Sequence, residues 1–443
     1  MVLAKKTLIL IIVVIALIAA IVGSIGYFIG YHMGSAIIPA GEAEFPKGIL
    51  KIGLLAPLTG PLASEGEGFK WGAEWAIEEI NKLGGICGYK LELVIGDTKD
   101  LEPGHVTTVM EKLITQDKVA AIFTGYGTQA LVELDIAAKY NILYFFGADW
   151  MAHQAKWAEY PEKYITCFNL VPSYMPYRWH FPQTFDRWVK EGKIQIINNK
   201  VAIVYSDNYY SSWIAEGLKE EFEKLGYIIT LFERVPFGTI TEWGSILAKI
   251  RANPPGLIIN TDYIPSNEAA FVRQFLEAPT KSHIFIQYAP WVPEFTDLLG
   301  DKANGILFNS PALSVYVSKN EIGQELLRRG IERFGKEPPG YTFTVYQELF
   351  IYKQGVELAN AWYNVDPNNP NDWPKIAEVI KKFTAWRGVY GMYVFDETNC
   401  LSEEFTTPTI YQIWDGKRLC IEPIEYADAE VRMPPWWETG TGG

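Results

Sequence analysis

Histidine and cysteine are scarce, five and four among 443 residues. No two cysteines have C-x-x-C spacing, so a metal cluster is not expected. Four cysteines are too few for a disulfide scaffold, although they suit an exported protein with one or two bridges. The chain has no N-x-S/T acceptor and therefore no signal for N-glycosylation. Basic residues are outnumbered, 39 Lys and Arg against 52 Asp and Glu, for a net charge of −13. That deficit argues against a nucleic-acid partner, which needs clustered cations to displace counterions. Also missing are the G-x-S-x-G elbow, the P-loop, H-E-x-x-H and a G-x-G-x-x-G after a strand. No cofactor, metal or catalytic machinery is expected.

Nearly half the composition is apolar, enough to build more than one core. Residues Thr7 to Tyr31 carry no charge and follow Lys5 and Lys6. The run matches the ~20 apolar residues that span a bilayer, and the flanking lysines hold the preceding end in the cytoplasm. Residues 1–31 are expected to be a cytoplasmic start and transmembrane anchor, with the rest on the extracytoplasmic side of the cell membrane. A cleaved export signal also has a charged start and an apolar stretch, though its apolar part is usually ~7–15 residues. No cysteine precedes Cys87, so attachment through a lipid-modified N-terminal cysteine is not expected. Residues 32–47 read as a linker.

From Leu50 onward, short β-rich runs alternate with amphipathic helical stretches, the pattern of parallel sheets covered by helices. KIGLLA reads as a strand. Gly66 to Leu83 follows as a helix, with Phe69, Ala73, Ala76, Ile77 and Ile80 on one face. Strands are expected at Leu91–Ile95, Ala120–Phe123 and Leu143–Phe146, with helices at Val106–Thr115 and Leu131–Tyr140. A second series follows Tyr164–Phe168, with strands near Val201–Tyr205, Ile228–Phe232, Leu257–Ile259, Ile284–Ile286 and Ile306–Phe308. The two series imply two lobes, each with its own sheet. A later helical block, Glu321–Phe334, Thr342–Ala361 and Trp373–Phe383, has no strands of its own and must pack on an existing lobe. Ligand sites in such sheets lie beyond the carboxyl ends of the strands.

Cys400 and Cys420 flank a terminal hairpin, IYQIWDGKRLC, with its turn at Asp415-Gly416, and are the pair expected to form a bridge. Trp71 and Trp75 stand off the apolar stripe of their helix, and Trp436 and Trp437 lie in the tail PPWWETGTGG. Partial burial and a docking surface are both open readings for these tryptophans.

The opening KIGLLAPLTGPLASEGEGFKWGAEWAIEEINKLGGICGYKLELVIGDT strongly resembles that of the leucine/isoleucine/valine-binding proteins of branched-chain amino-acid ABC importers. Its elements are I-G-x-x-x-P-L-T-G, then Gly72-Ala73, then I-N-x-x-G-G-I from Ile80 to Ile86. The likeness continues through KVAIVYSDNYY and EAAFVRQF to VYGMYVFDETN. It implies a type I periplasmic binding protein fold: two Rossmann-like α/β lobes joined by three crossing strands and closing on a ligand. The first lobe would be residues 48–168 plus 312–390, the second 169–308 plus 391–426, and residues 427–443 a Pro/Gly/Trp-rich tail. The implied partners are a small-molecule solute and ABC permease subunits with their ATPases.

Carried over residue by residue, the resemblance gives an altered ligand site. Tyr210 and Tyr263 match ligand-contacting tyrosines of the second lobe. The serine-rich loop that holds an α-carboxylate is represented by Gly127, Thr128 and Gln129, next to Tyr126. A second carboxylate-binding loop reads Ala148, Asp149 and Trp150. The acid that pairs with an α-ammonium appears as Ala289, one residue after Tyr288. Glu65 and Asp149, with Asp262 on the other lobe, could supply acceptors at new positions, favouring a donor-rich, amide, urea-like, basic or polyhydroxylated solute over an aliphatic amino acid. A cleft enzyme built on these acids, a signalling receptor and a surface structural protein are the competing readings.

Overall fold

Runs such as AIFT and LYFF are apolar at consecutive positions, which suits strands covered on both faces. Both are interior strands of one sheet in the computed structural model. It describes residues 44–99, 101–128, 131–147 and 150–442, without the side chains of residues 150 and 151. The apolar run Thr7–Tyr31 lies outside these residues. Among the described residues no helix is long and apolar enough to cross a membrane.

Strands β1 (Gly48–Ala56), β2 (Tyr89–Asp97), β3 (Ala121–Thr124), β4 (Leu143–Phe146) and β5 (Cys167–Asn169) form one sheet in the order β2-β1-β3-β4-β5, all parallel. A second sheet repeats that order with β6 (Lys200–Ser206), β7 (Ile228–Val235), β8 (Leu257–Asn260), β9 (His283–Ile286) and β10 (Leu307–Ser310) as β7-β6-β8-β9-β10. Two antiparallel strands, β13 (Thr409–Trp414) and β14 (Lys417–Glu422), extend it beyond β10. A small ribbon pairs β11 (Trp386–Gly388) with β12 (Gly391–Tyr393). In each large sheet the strand order reverses beside its first strand, which opens a crevice at the carboxyl ends.

The orphan helical block packs on the first sheet's layer. Helix Tyr341–Tyr363 crosses helix Ala63–Lys82 so closely that a Cβ on Gly72 would stand 2.2 Å from the Thr342 carbonyl oxygen. Trp75 is buried in this contact, its ring 4.5 Å from Tyr346, and its indole N–H donates to Glu79 at 2.7 Å. Trp71 stacks on Phe334 at 4.4 Å. Trp436 and Trp437 are buried as well, and the Trp436 indole donates to the Ser282 carbonyl at 2.9 Å, which seats the tail along the second lobe. The burial of three of these four rings follows from packing within the chain.

Three segments cross between lobes: the one leaving β5, the one leaving β10, and the one entering β13. Asn169 at the end of β5 accepts from the Leu401 N–H and donates its own N–H to the Asn399 carbonyl, so the third segment lies beside β5. The second and third segments are joined where Thr409 donates to the Ala312 carbonyl at 3.1 Å.

The Cys400–Cys420 bridge does not form; all four cysteines are free thiols. The hairpin turns at Asp415-Gly416 as expected, with Cys420 opposite Tyr411. Cys400 is not on it. It lies in the crossing segment beside β5, its Sγ 3.3 Å from His153 Nδ1, while the Cys420 thiol donates to the Glu422 carbonyl at 3.4 Å.

Gly72→Ala should lower stability by about 1–3 kcal/mol in urea unfolding, because overpacking against a carbonyl outweighs the ~1 kcal/mol that Ala gains as a helix former. Glu74→Ala, on the exposed face of the same helix, should change it by less than about 0.5 kcal/mol.

Candidate ligand-binding site

The carboxyl ends of both sheets face a shared cavity of about 110 Å³. Its wall comes from the ends of eight strands, with Leu101 after β2 and Ser310 at the end of β10. Glu65 stands after β1, Tyr126 to Thr128 after β3, Tyr174 after β5, Tyr210 after β6, Tyr263 after β8, and Tyr288 and Trp291 after β9. Tyr341, at the start of its long helix, and Tyr390, in the β11–β12 ribbon, close the remaining side. Nine of the eighteen described lining residues are tyrosines, and Glu65 is the single ionisable carboxylate or base among them.

The rings form a continuous series of contacts. Tyr126 meets Tyr341 edge-on at 5.2 Å, Tyr341 faces Tyr288 at 6.3 Å, and Tyr288 faces Tyr263 at 6.4 Å. Tyr263 then meets Tyr210 at 5.5 Å, and Tyr210 meets Tyr174 at 5.6 Å. Four of these five contacts are edge-to-face and the Tyr341–Tyr288 pair is tilted, arrangements in which the rings hold one another in place.

Glu65 lies in the first turn of helix Ala63–Lys82, where the helix dipole favours a negative charge by ~0.3–1 kcal/mol. Burial opposes that and wins. With the side chain enclosed, desolvation pushes its pKa from 4.5 up to about 8; the Tyr288 hydrogen bond pulls the other way and the nearby Glu294 charge adds to the rise. At ~1.4 kcal/mol per pH unit, the penalty against charging is on the order of 5 kcal/mol, several times the dipole's contribution. The Tyr288 hydroxyl donates to Glu65 Oε2 across the cleft, tying the lobes together. Tyr288 adopts φ of +69°, a costly conformation for a bulky residue, and it directs the ring at the opposite lobe. A second tie runs from Arg418 on β14, which donates to the Pro290 carbonyl at 2.7 Å and to Glu337 at 2.5 Å.

Several expected contacts have other occupations. Thr128 lines the cavity, but its N–H and hydroxyl both donate to the buried Glu133, at 2.7 and 2.6 Å. The Gly127 N–H donates to the Gly147 carbonyl at 3.0 Å. Asp262 does not line the cavity. Its carboxylate is fully buried, accepting from Asn267 at 2.6 Å and Ser206 at 3.2 Å, and burial raises its pKa to about 6. The expectation that it supplies an acceptor to solute is corrected on that geometry. Gln129, Ala148 and Asp149 lie outside the described residues, and of Trp150 only the backbone, at the start of helix Trp150–Glu159, is described. Ala289 is buried in a turn away from the wall. Tyr174, Tyr341 and Tyr390 were not anticipated, because each arrives from a segment other than the strand-end loops that carry the expected contacts, whereas Trp291 belongs to the same loop as Tyr288. Among the described residues no group of three or more His, Cys, Asp and Glu side chains could hold a metal ion.

Two lobes of repeated strand order, three crossing segments and a cleft cavity coincide with a match to the periplasmic binding protein family over residues 49–405. The chain belongs to that family. It is a binding protein rather than an enzyme. Among curated proteins it is 22% identical to the Leu/Ile/Val-binding protein homolog 7 of Brucella abortus, over 90% of this chain and 97% of that one. A proposed branched-chain amino acid ABC transporter structure from Silicibacter pomeroyi superposes with a TM-score of 0.75 at 28% identity, over 87% of this chain and 99% of that one. The substrate-binding protein LivJ of Streptococcus pneumoniae, solved with isoleucine, gives 0.69 at 22% identity, over 87% and 100%.

Because Glu65 titrates higher in the folded chain than in the unfolded one, its neutral form favours the fold below about pH 4.5, and that advantage is lost as pH rises through about 8. Glu65→Gln cannot ionise. Thermal unfolding of the solute-free variant should match the wild type near pH 5 and exceed it by several degrees at pH 9. An equal difference at both pH values would contradict the buried titration.

Proposed function

We propose that this protein is the extracytoplasmic receptor of an ABC importer: it captures a small polar solute between its lobes and hands it to permease subunits driven by their ATPases. The Tyr288–Glu65 bond carries the reading. It joins groups from opposite lobes inside the cavity, so a solute that replaces or bridges it touches both lobes only when they are closed. Closure then follows from differential contact, since a ligand shifts an equilibrium only by as much as it prefers one state. Residues Thr7–Tyr31 would tether the receptor beside its permease.

A branched-chain amino acid is the default for the family the sequence resembles, and LivJ holds isoleucine. Two observations favour a different solute here. The position expected to hold the acid for an α-ammonium is Ala289, and the donors of Gly127 and Thr128 are engaged within the protein. An unpaired buried charge is too costly for such a solute to do without these partners.

Full-length protein purified under native conditions should carry one small solute per chain, released chemically unchanged on unfolding and detectable by mass spectrometry. Tyr210→Ala should retain at least tenfold less of it. A released product that differs from the solute supplied would contradict the receptor reading.

A further inference from the structure

The cavity combines one carboxyl group with a continuous series of aromatic rings. Among its described lining residues there is no Lys, Arg or His, so an anionic group on a solute would find no cation opposite it. The loop after β3, which would be asked to hold a carboxylate with neutral donors, has the Gly127 N–H and both Thr128 donors already engaged. Glu65 offers the reverse. Its Oε2 accepts from Tyr288, and the buried Tyr126 hydroxyl also acts on the carboxyl group, so two phenols face it in the wall. Once ionised, this carboxylate on one wall, with tyrosines around the rest, forms a receptacle for positive charge, since aromatic rings attract cations electrostatically.

We propose that the cavity is built for a small organic monocation without a carboxylate, an ammonium or amidinium compound whose charge rests on Glu65 and whose flat or methylated surface lies against the tyrosines. This rests on the receptor reading and specifies its solute.

The geometry has a proton consequence. The groups facing Glu65 are Tyr288 and Glu294 from the second lobe, Tyr126 after β3, and Tyr341 and Tyr210 from the surrounding wall. Burial holds each of these phenols well above its usual range, so Glu65 is the wall group that titrates near neutrality. A cation selects the carboxylate form, so at neutral pH the carboxyl O–H bond breaks and its proton passes to solvent as the ion pair forms. Affinity for the cation should therefore rise on the order of tenfold per pH unit below 8 and level off above it.

The test is calorimetry on full-length protein with two cations, choline and benzamidinium, their neutral counterparts 3,3-dimethylbutan-1-ol and benzamide, and two carboxylate-bearing solutes, leucine and betaine. In buffers of different ionisation enthalpy at pH 7, at least one cation should bind ten or more times tighter than its neutral counterpart and release close to one proton. Glu65→Gln should weaken that cation at least tenfold at pH 9 and abolish the pH dependence. Tighter binding of leucine, betaine or a neutral compound, or failure of both cations at millimolar concentration, overturns the cation assignment. Lobe closure on any other solute would leave the receptor reading standing, whereas a chain that carries no solute and closes on none would lose both.

Discussion

A carboxyl group enclosed between two halves of a chain sets the terms for the rest of this structure. Glu65 belongs to the first lobe and Tyr288 to the second, and their contact exists only while the lobes meet. Neither group is at ease there. The carboxyl is held largely neutral by burial, and Tyr288 is held at a left-handed backbone angle. Sites that store such costs are kept by the surrounding fold, and here the fold supplies two rigid sheets and three crossing segments. In the proposed receptor the same arrangement would make the site responsive, because a solute that satisfies Glu65 better than Tyr288 does would change the balance between open and closed lobes.

The sheets were legible because their strands are buried on both faces and read as continuous apolar runs. β4 was expected at Leu143–Phe146 and is found there, and β6 to β10 differ from expectation by at most three residues at either end. The strandless helical block was legible as an addition to an existing layer. Its host came from the resemblance, and the contact of Gly72 with Thr342 explains why that position carries no side chain. The tryptophans off the apolar stripe take the partial-burial reading for a related reason: a helix covered by a second helix has a wider buried face than its own periodicity suggests.

The site was legible in outline and not in its assignments. Loops after β1, β3, β6, β8 and β9 could be named because parallel strands put their carboxyl ends together. What each polar side chain does there depends on partners that sequence order does not reveal. Thr128 turns to Glu133 five residues on, and Asp262 to Asn267 and Ser206, so residues that resemble ligand contacts serve the loops themselves. No acid stands at Ala289, and the carboxyl group in the cavity wall, Glu65, comes from the other lobe. Cys400 shows the same limit, since nearness to a hairpin in sequence did not place it on the hairpin.

Closure of the two lobes on a solute is the central claim, and small-angle X-ray scattering measures it directly. Protein stripped of its solute and then saturated with it should show a smaller radius of gyration. An unchanged radius at saturation would contradict the account.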